Sequence, residues 1–257
     1  ADSEFELHYQ PQVCATQNLV RGVEALIRWR HPERGLIPPL KFIPIAEETG
    51  VIEAIGTWVL NEACRQMAAW RQAGFDLQHV AVNLSAHQLR SPDLVSQVQA
   101  AIAHFGLSPG ELELEITESV AMEDPERAIG QLRALRDSGV ELAIDDFGTG
   151  YSSLSYLKQL DVDRLKIDRS FIRDIGSDPD DAAIVRAITQ MARSLRLKTM
   201  AEGAETSEQT RFLLAEGCED VQGFLYSRPI DAAAFLRLFQ ESGGYFSRPS
   251  STGMAAS

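Results

Sequence analysis

This chain has few cysteines, no metal-binding histidine spacing, no long apolar run and no surplus of basic charge, and each shortage removes a class of function. Cys14, Cys64 and Cys218 stand far apart. Without a paired spacing they indicate neither a disulfide framework nor a thiolate zinc site, and a reducing, cytoplasmic setting is expected. The five histidines, His8, His31, His79, His87 and His104, form no H-x-H or H-E-x-x-H pattern, so the usual signals of a histidine-ligated metal are missing. No apolar run approaches the roughly eighteen residues a membrane span needs, and no basic-then-apolar leader opens the chain. A net charge of −13 argues against binding a nucleic-acid polymer, which relies on a basic face to neutralise phosphates. A small anionic ligand is still admissible, because carboxylates loaded with divalent cations present a locally positive surface. No G-x-G-x-x-G follows the first strand, which removes the main support for a doubly wound dinucleotide-binding sheet.

What is present is a regular alternation. Hydrophobic content of 44% over 257 residues supplies a sizeable core, and the length suits one large α/β domain as well as two small ones. Residues 7–13 and 22–29 read as strands of a hairpin across Thr16-Gln17-Asn18. A short helical stretch near 42–49 follows Pro38-Pro39, and Ile55, Val59, Ala63, Met67 and Trp70 recur at helical spacing over 53–74. Strands at 80–84, 111–117, 142–144, 164–168, 198–202 and 220–226 then alternate with helices that open at Ser91-Pro92, Asp124, Ser153, Asp178-Pro179, Ser207 and Asp231. The chain begins with Ala1, as a fragment of a longer protein would. Residues 1–241 read as the domain and 242–257 as a disordered tail. About eight strands interleaved with helices imply parallel β/α architecture, with a closed (β/α)₈ barrel as the leading expectation.

The chemistry gathers at strand ends. Glu141-Leu142-Ala143-Ile144 leads into Asp145-Asp146 and then into Phe147-Gly148-Thr149-Gly150-Tyr151-Ser152-Ser153. Two ionised carboxylates at the end of a buried strand repel each other and lose hydration, which a divalent cation would offset. A solvated Asx turn is the competing reading. Glu24, Asn83, Glu115, Lys166, Glu202 and Gln222 hold comparable positions on other strands. Singly, each has another explanation: Glu24 could pair with Arg28 or Arg30, Asn83 could be a turn amide, and Glu202 could cap the next helix. In a parallel barrel, however, the strand C-termini open on the one face where active sites sit, so the set would converge. Oxygen ligands alone favour Mg²⁺ or Mn²⁺ over zinc. Two such ions roughly 3.5–4 Å apart, bridged by an Asp, are the usual arrangement for phosphoester hydrolysis. Lys166 either holds and acidifies an attacking water or neutralises surplus carboxylates, and spacing does not choose between the two.

Several segments carry a resemblance: Glu24-Ala25-Leu26-Ile27-Arg28-Trp29-Arg30, Val82-Asn83-Leu84-Ser85, Leu114-Glu115-Ile116-Thr117-Glu118, Asp145-Asp146-Phe147-Gly148-Thr149-Gly150-Tyr151, Leu165-Lys166-Ile167-Asp168, Ala201-Glu202-Gly203, Gln222-Gly223-Phe224 and Ser227-Arg228-Pro229. In this order they resemble the EAL-domain family, bacterial phosphodiesterases of cyclic di-GMP. The likeness runs over about 5–239 and implies a TIM-like barrel whose first strand is antiparallel to the others. It implies that Glu24, Asn83, Glu115 and Asp145 bind one cation, Mg²⁺ or Mn²⁺, and that Asp145, Asp146 and Glu202 bind a second. Lys166, Glu202 and Glu24 would carry catalysis, with Lys166 positioning the water. Arg28 would contact a substrate phosphate, and Gln10, Ile27, Asp168, Gln222 and Pro229 would join it in substrate binding. Glu205 and Gln222 would support the site, while Glu118 with Phe147, Gly148, Thr149 and Gly150 would couple dimer contact to metal binding. The implied reaction is two-metal activation of water, opening cyclic di-GMP to linear pGpG. Implied partners are a second copy of the chain and upstream sensory or diguanylate cyclase-like domains, in the cytoplasm or the cytoplasmic portion of a membrane-anchored sensor of biofilm signalling. Ala204, where Val is commoner, and Phe224-Leu225-Tyr226 depart from the family pattern without touching an implied ligand. A silent cyclic di-GMP receptor is the competing reading, and a barrel enzyme of sugar phosphates or enolates is a third.

Overall fold

Asn18 reverses the chain between β1 (Phe5–Cys14) and β2 (Leu19–His31), as the hairpin reading expects. Its φ of 54° lies in the left-handed region, which Asn tolerates because its short polar side chain bonds locally. The computed structural model describes residues 4–150 and 154–246. After the hairpin come β3 (Gly35–Ile37), β4 (His79–Asn83), β5 (Leu112–Thr117), β6 (Glu141–Phe147), β7 (Arg164–Ile167), β8 (Lys198–Ala201), β9 (Asp220–Gln222) and β10 (Ile230–Asp231). Strands β2 and β4 to β9 run parallel in that order, and β1 pairs antiparallel with both β2 and β9. Eight strands therefore close into a barrel whose first strand opposes the rest. The short β3 and β10 extend its rim by antiparallel pairing to β2 and β1.

The core lies between barrel and helices. Ile55, Val59, Ala63, Met67 and Trp70, the stripe read from spacing, are all buried on the helix Ile52–Gln72. Burying each of the larger side chains contributes about 1.5–3 kcal/mol. Trp70 meets Tyr9 of β1 edge-on at 4.7 Å and Phe235 of the helix Ala232–Ser242 at 4.9 Å, so the last helix closes on the first strand. No helix among the described residues is long and apolar enough to cross a membrane.

Several element boundaries differ from the sequence reading. Ser91 does not open a helix. It follows the helix Ala86–Arg90, which Ser85 and Gln88 cap reciprocally, and the next helix starts at Leu94. The strand expected over 220–226 ends at Gln222, because Gly223 begins a turn in which the Tyr226 N–H donates to the Gly223 carbonyl. Part of the expected tail is ordered: Tyr245 bridges Leu19, and the Phe246 N–H donates to the Asn18 carbonyl at 2.8 Å. The rest of that tail, 247–257, and Tyr151, Ser152 and Ser153 of the loop lie outside the described residues.

Candidate metal and active site

Parallel strands deliver their C-terminal residues to one mouth of the barrel. Glu24 sits on β2, Asn83 ends β4, Glu115 is on β5, Asp145 on β6, Lys166 on β7 and Gln222 ends β9, while Glu202 directly follows β8. Lys166 is 0% exposed, and its Nζ lies 2.6 Å from Glu115 Oε2, 2.7 Å from Glu202 Oε1, 3.2 Å from Asp145 Oδ1 and 3.9 Å from Glu24 Oε2. Burial works against its charge, but Asp145, Glu115, Glu202 and Glu24 outweigh that effect and hold its pKa well above the ordinary lysine value. Lys166 is thus a buried ammonium and a donor, the role that neutralising surplus carboxylates requires.

Asp145 and Asp146 would face opposite sides of a regular strand. Here the β6–β7 register shifts between Ile144 and Phe147, and Asp146 has a φ of 52°. The bulge and the left-handed residue turn both carboxylates to the mouth. Asp145, Asp146 and Glu202 consequently offer oxygens within 4.8 Å of one another. Burial and the neighbouring Asp145 and Asp168 push Asp146 up to about 6. Burial also pushes Glu202 up to about 8, even with Lys166 opposing. Three acids brought this close, two of them pushed up, offer only oxygen donors and fit a hard divalent cation.

The other implied ligands are bonded among themselves. Asn83 Nδ2 donates to Glu24 Oε1 at 2.7 Å, and Gln222 Nε2 donates to Glu24 Oε2 at 2.5 Å and to Gln10 Oε1 at 3.1 Å. Gln10 in turn donates to the Ser227 carbonyl at 3.1 Å, near the partly buried Pro229. Arg28 is half-buried and shares the Glu24 face of β2, with its Nη1 on the Ile27 carbonyl at 2.8 Å. The Ile27 side chain takes the opposite face of β2 and packs against the core. Glu205 is exposed, its N–H held by Gln209 Oε1 at 2.7 Å. Asp168 caps the helix Arg169–Arg173 by accepting from the Ser170 N–H at 2.9 Å, and it shares a side-chain hydrogen bond with Asp146.

Behind Asp146, Glu118 is buried, and its Oε2 accepts from the Gly148 N–H at 2.8 Å. Thr149 Oγ1 returns to the Asp146 carbonyl at 2.8 Å, so the turn carrying the second aspartate is fixed at both ends. Gly148 has a φ of +102°, and a Cβ there would come within 2.8 Å of Phe171, so only glycine suits the position. Phe147 is buried, whereas Gly148, Thr149 and Gly150 are exposed.

A polar layer that sequence reasoning missed lies one step deeper in the barrel. Arg164 donates to Glu113 Oε2 at 2.9 Å and to Asp220 Oδ2 at 2.7 Å, and Arg21 reaches Asp220 Oδ1 at 2.8 Å. Burial opposes charge on Glu113, but Arg164 and His79 prevail and hold it below the usual carboxylate range. His79 stands 3.7 Å from Glu113, and burial lowers its pKa. Period-two alternation is the signal that could have found this layer. Glu113, Arg164 and Asp220 each precede a site residue by two positions.

A family model described as "EAL domain" matches residues 1–229. The bifunctional diguanylate cyclase/cyclic di-GMP phosphodiesterase MucR of Pseudomonas aeruginosa is 52% identical over 233 residues, covering 91% of this chain and 34% of that protein. Cyclic di-GMP phosphodiesterase NbdA of the same organism is 47% identical, over 93% of this chain and 31% of its own length. The chain thus spans about a third of these curated relatives. A solved complex of the PaMucR phosphodiesterase with c-di-GMP superposes with a TM-score of 0.87 at 51% identity, covering 90% of this chain and 94% of that one.

Proposed function

The chain belongs to the EAL-domain family, and on that premise we propose that it is a metal-dependent phosphodiesterase that hydrolyses cyclic di-GMP to linear pGpG. The observation that carries the reading is the meeting of Asp145, Asp146 and Glu202 oxygens within 4.8 Å, with the Lys166 ammonium 2.7 Å from Glu202 and 3.2 Å from Asp145. Asp145, Asp146 and Glu202 would hold one divalent cation, Mg²⁺ or Mn²⁺, and Glu24, Asn83 and Glu115 would join Asp145 around a second. When bound, such ions polarise phosphoryl oxygens and ease loss of a proton from water.

Each chain residue then has a defined task. Lys166 holds Glu115 and Glu202 in place and has a proton to share with an incoming water oxygen, orienting that water toward phosphorus. The water oxygen bonds to phosphorus, the bond to the 3′ oxygen breaks, and the 3′ oxygen leaves with a proton, giving a 5′-phosphate and a 3′-hydroxyl. Arg28, on the Glu24 face of β2, offsets charge on a non-bridging phosphoryl oxygen. Gln222 and Asn83 keep Glu24 turned to the mouth through the 2.5 and 2.7 Å hydrogen bonds. In the whole protein the chain works as one module, paired with a second copy and answering to sensory or cyclase-like domains. Incubation with cyclic di-GMP and Mg²⁺ or Mn²⁺, with products resolved by chromatography, tests the reading. pGpG is expected with metal and absent with chelator. Binding without pGpG under both metals would instead assign the chain to the silent receptors.

A further inference from the structure

Beneath the carboxylates, β1 carries Gln12, which is 1% exposed. Its Oε1 meets His79 Nε2 at 2.6 Å, and its Nε2 donates to Glu115 Oε1 at 3.4 Å. A side-chain amide has one donor end and one acceptor end, so whatever fixes one end fixes the other. In the tautomer that carries its proton on Nε2, His79 donates to the amide oxygen, and the amide N–H then faces Glu115. The reverse orientation would set the amide oxygen against a carboxylate oxygen. Glu115 Oε2, meanwhile, is 2.6 Å from Lys166 Nζ, so this carboxylate is gripped at both oxygens from inside the barrel.

The backbone is shaped around the pair. The β1–β2 register shifts after Gln12, which lies opposite Gly22, while Val13 lies opposite Val20. Arg21 is therefore the extra residue of a bulge, a device that re-aims side chains. Gly22 leaves space for the imidazole, since a Cβ there would lie 2.6 Å from His79 Nε2 and 2.8 Å from its carbonyl. His79 itself is 3% exposed, so its contact with the amide is made away from bulk water.

We propose that Gln12 is a positioning residue for Glu115, and that His79 fixes Gln12, so that the pair sets the angle at which the Glu115 carboxylate meets a divalent cation. The inference rests on the reading of Glu115 as a metal ligand. Mn²⁺ titrated calorimetrically into the purified chain, without substrate, measures it. Gln12→Leu is expected to weaken Mn²⁺ binding about tenfold, the loss typical when the partner of a metal ligand is removed. KM for cyclic di-GMP at saturating Mn²⁺ should stay within about twofold of the parent value, because no substrate contact is removed. His79→Leu, which frees the amide to turn, should weaken Mn²⁺ binding comparably, whereas His79→Gln keeps an N–H donor and should recover most of the loss. Circular dichroism establishes that each variant is folded, and if Gln12→Leu is not, the His79→Leu and His79→Gln pair decides. Mn²⁺ affinity unchanged in folded Gln12→Leu or His79→Leu overturns the positioning role alone. A parent chain that takes up no Mn²⁺ overturns the metal reading of Glu115 and this role with it.

Discussion

Lys166 Nζ and Glu202 Oε1 stand 2.7 Å apart, joining the end of β7 to the residue that follows β8. With Glu115, Asp145 and Glu24 also within 3.9 Å, this ammonium faces four acidic groups at once. Lys166→Met is expected to lower stability in chelator by about 3–5 kcal/mol, the penalty for leaving buried charge unpaired. Saturating Mn²⁺ should recover part of that loss, and turnover should fall roughly a hundredfold or more. Urea denaturation with and without chelator, alongside the pGpG assay, provides both numbers. Equal stability of variant and parent in chelator would contradict the compensating role.

On the proposed metal reading, protons and divalent cations compete for the same oxygens. Asp146 is pushed up to about 6 and Glu202 to about 8, burial being the first cause in both. An acid whose pKa is higher in the fold than in the unfolded chain binds protons preferentially when folded. Its contribution is intact below the unfolded value and is lost as pH rises through the folded one. These two acids therefore make the metal-free protein less stable between about pH 4 and 8. Divalent cations relieve that loss, so the Tm gain from Mn²⁺ should grow from pH 6 to pH 8. A gain independent of pH, measured by thermal melts in matched buffers, would count against it.

The carboxyl of Asp168 supplies a handle on the same balance. Asp168→Asn keeps a side chain able to cap the helix Arg169–Arg173, yet removes a negative neighbour from Asp146. The acid limb of Mn²⁺ affinity should move to lower pH by about one unit. An unmoved limb in calorimetric titrations would mean that the Asp168 charge does not act on Asp146.

Much of this was legible in the sequence, and the exceptions have physical causes. Carboxylates at the ends of apolar strands announce themselves because burying them is expensive, which is why Glu24, Glu115, Asp145 and Glu202 stood out. The helices Ala86–Arg90, Glu118–Glu123 and Arg169–Arg173 did not, because five or six residues show too little of a 3.6 period. Ser91 misled because Ser-Pro is a good helix opening locally, while here Ser91 closes the preceding short helix. The Arg164–Glu113–Asp220 layer was hidden for a different reason. Ion pairs between residues 51 and 56 positions apart leave no local pattern.

Glu118 Oε2 accepts from the Gly148 N–H at 2.8 Å, tying the start of the helix after β5 to the turn behind Asp146. Glu118→Ala should accelerate amide exchange over 147–150 by about tenfold, the equivalent of one lost hydrogen bond to a charged acceptor. Mn²⁺ affinity should fall while the global Tm changes little. Hydrogen exchange read by mass spectrometry separates this local loosening from a general loss of stability.

Glu24→Ala removes the acceptor of both Asn83 and Gln222. Hydrolysis of cyclic di-GMP should fall roughly a thousandfold through loss of a cation ligand, with the circular dichroism spectrum unchanged. Near-normal turnover would show that Glu24 holds no cation.

The antiparallel first strand also dictates an order of assembly. β1 finds β2 across a short turn, a step on the scale of about 1–10 μs. It finds β9 only when the far end of the chain arrives, and Gln10 and Gln222, which bond on that seam, are 212 positions apart. Closing so long a loop is slow relative to local pairing. Until then β1 has an open edge and Glu24 lacks its Gln222 donor. Closure of the barrel and completion of the site are thus one event, and a chain stopped short of β9 carries every carboxylate of the cluster without the frame that points them together.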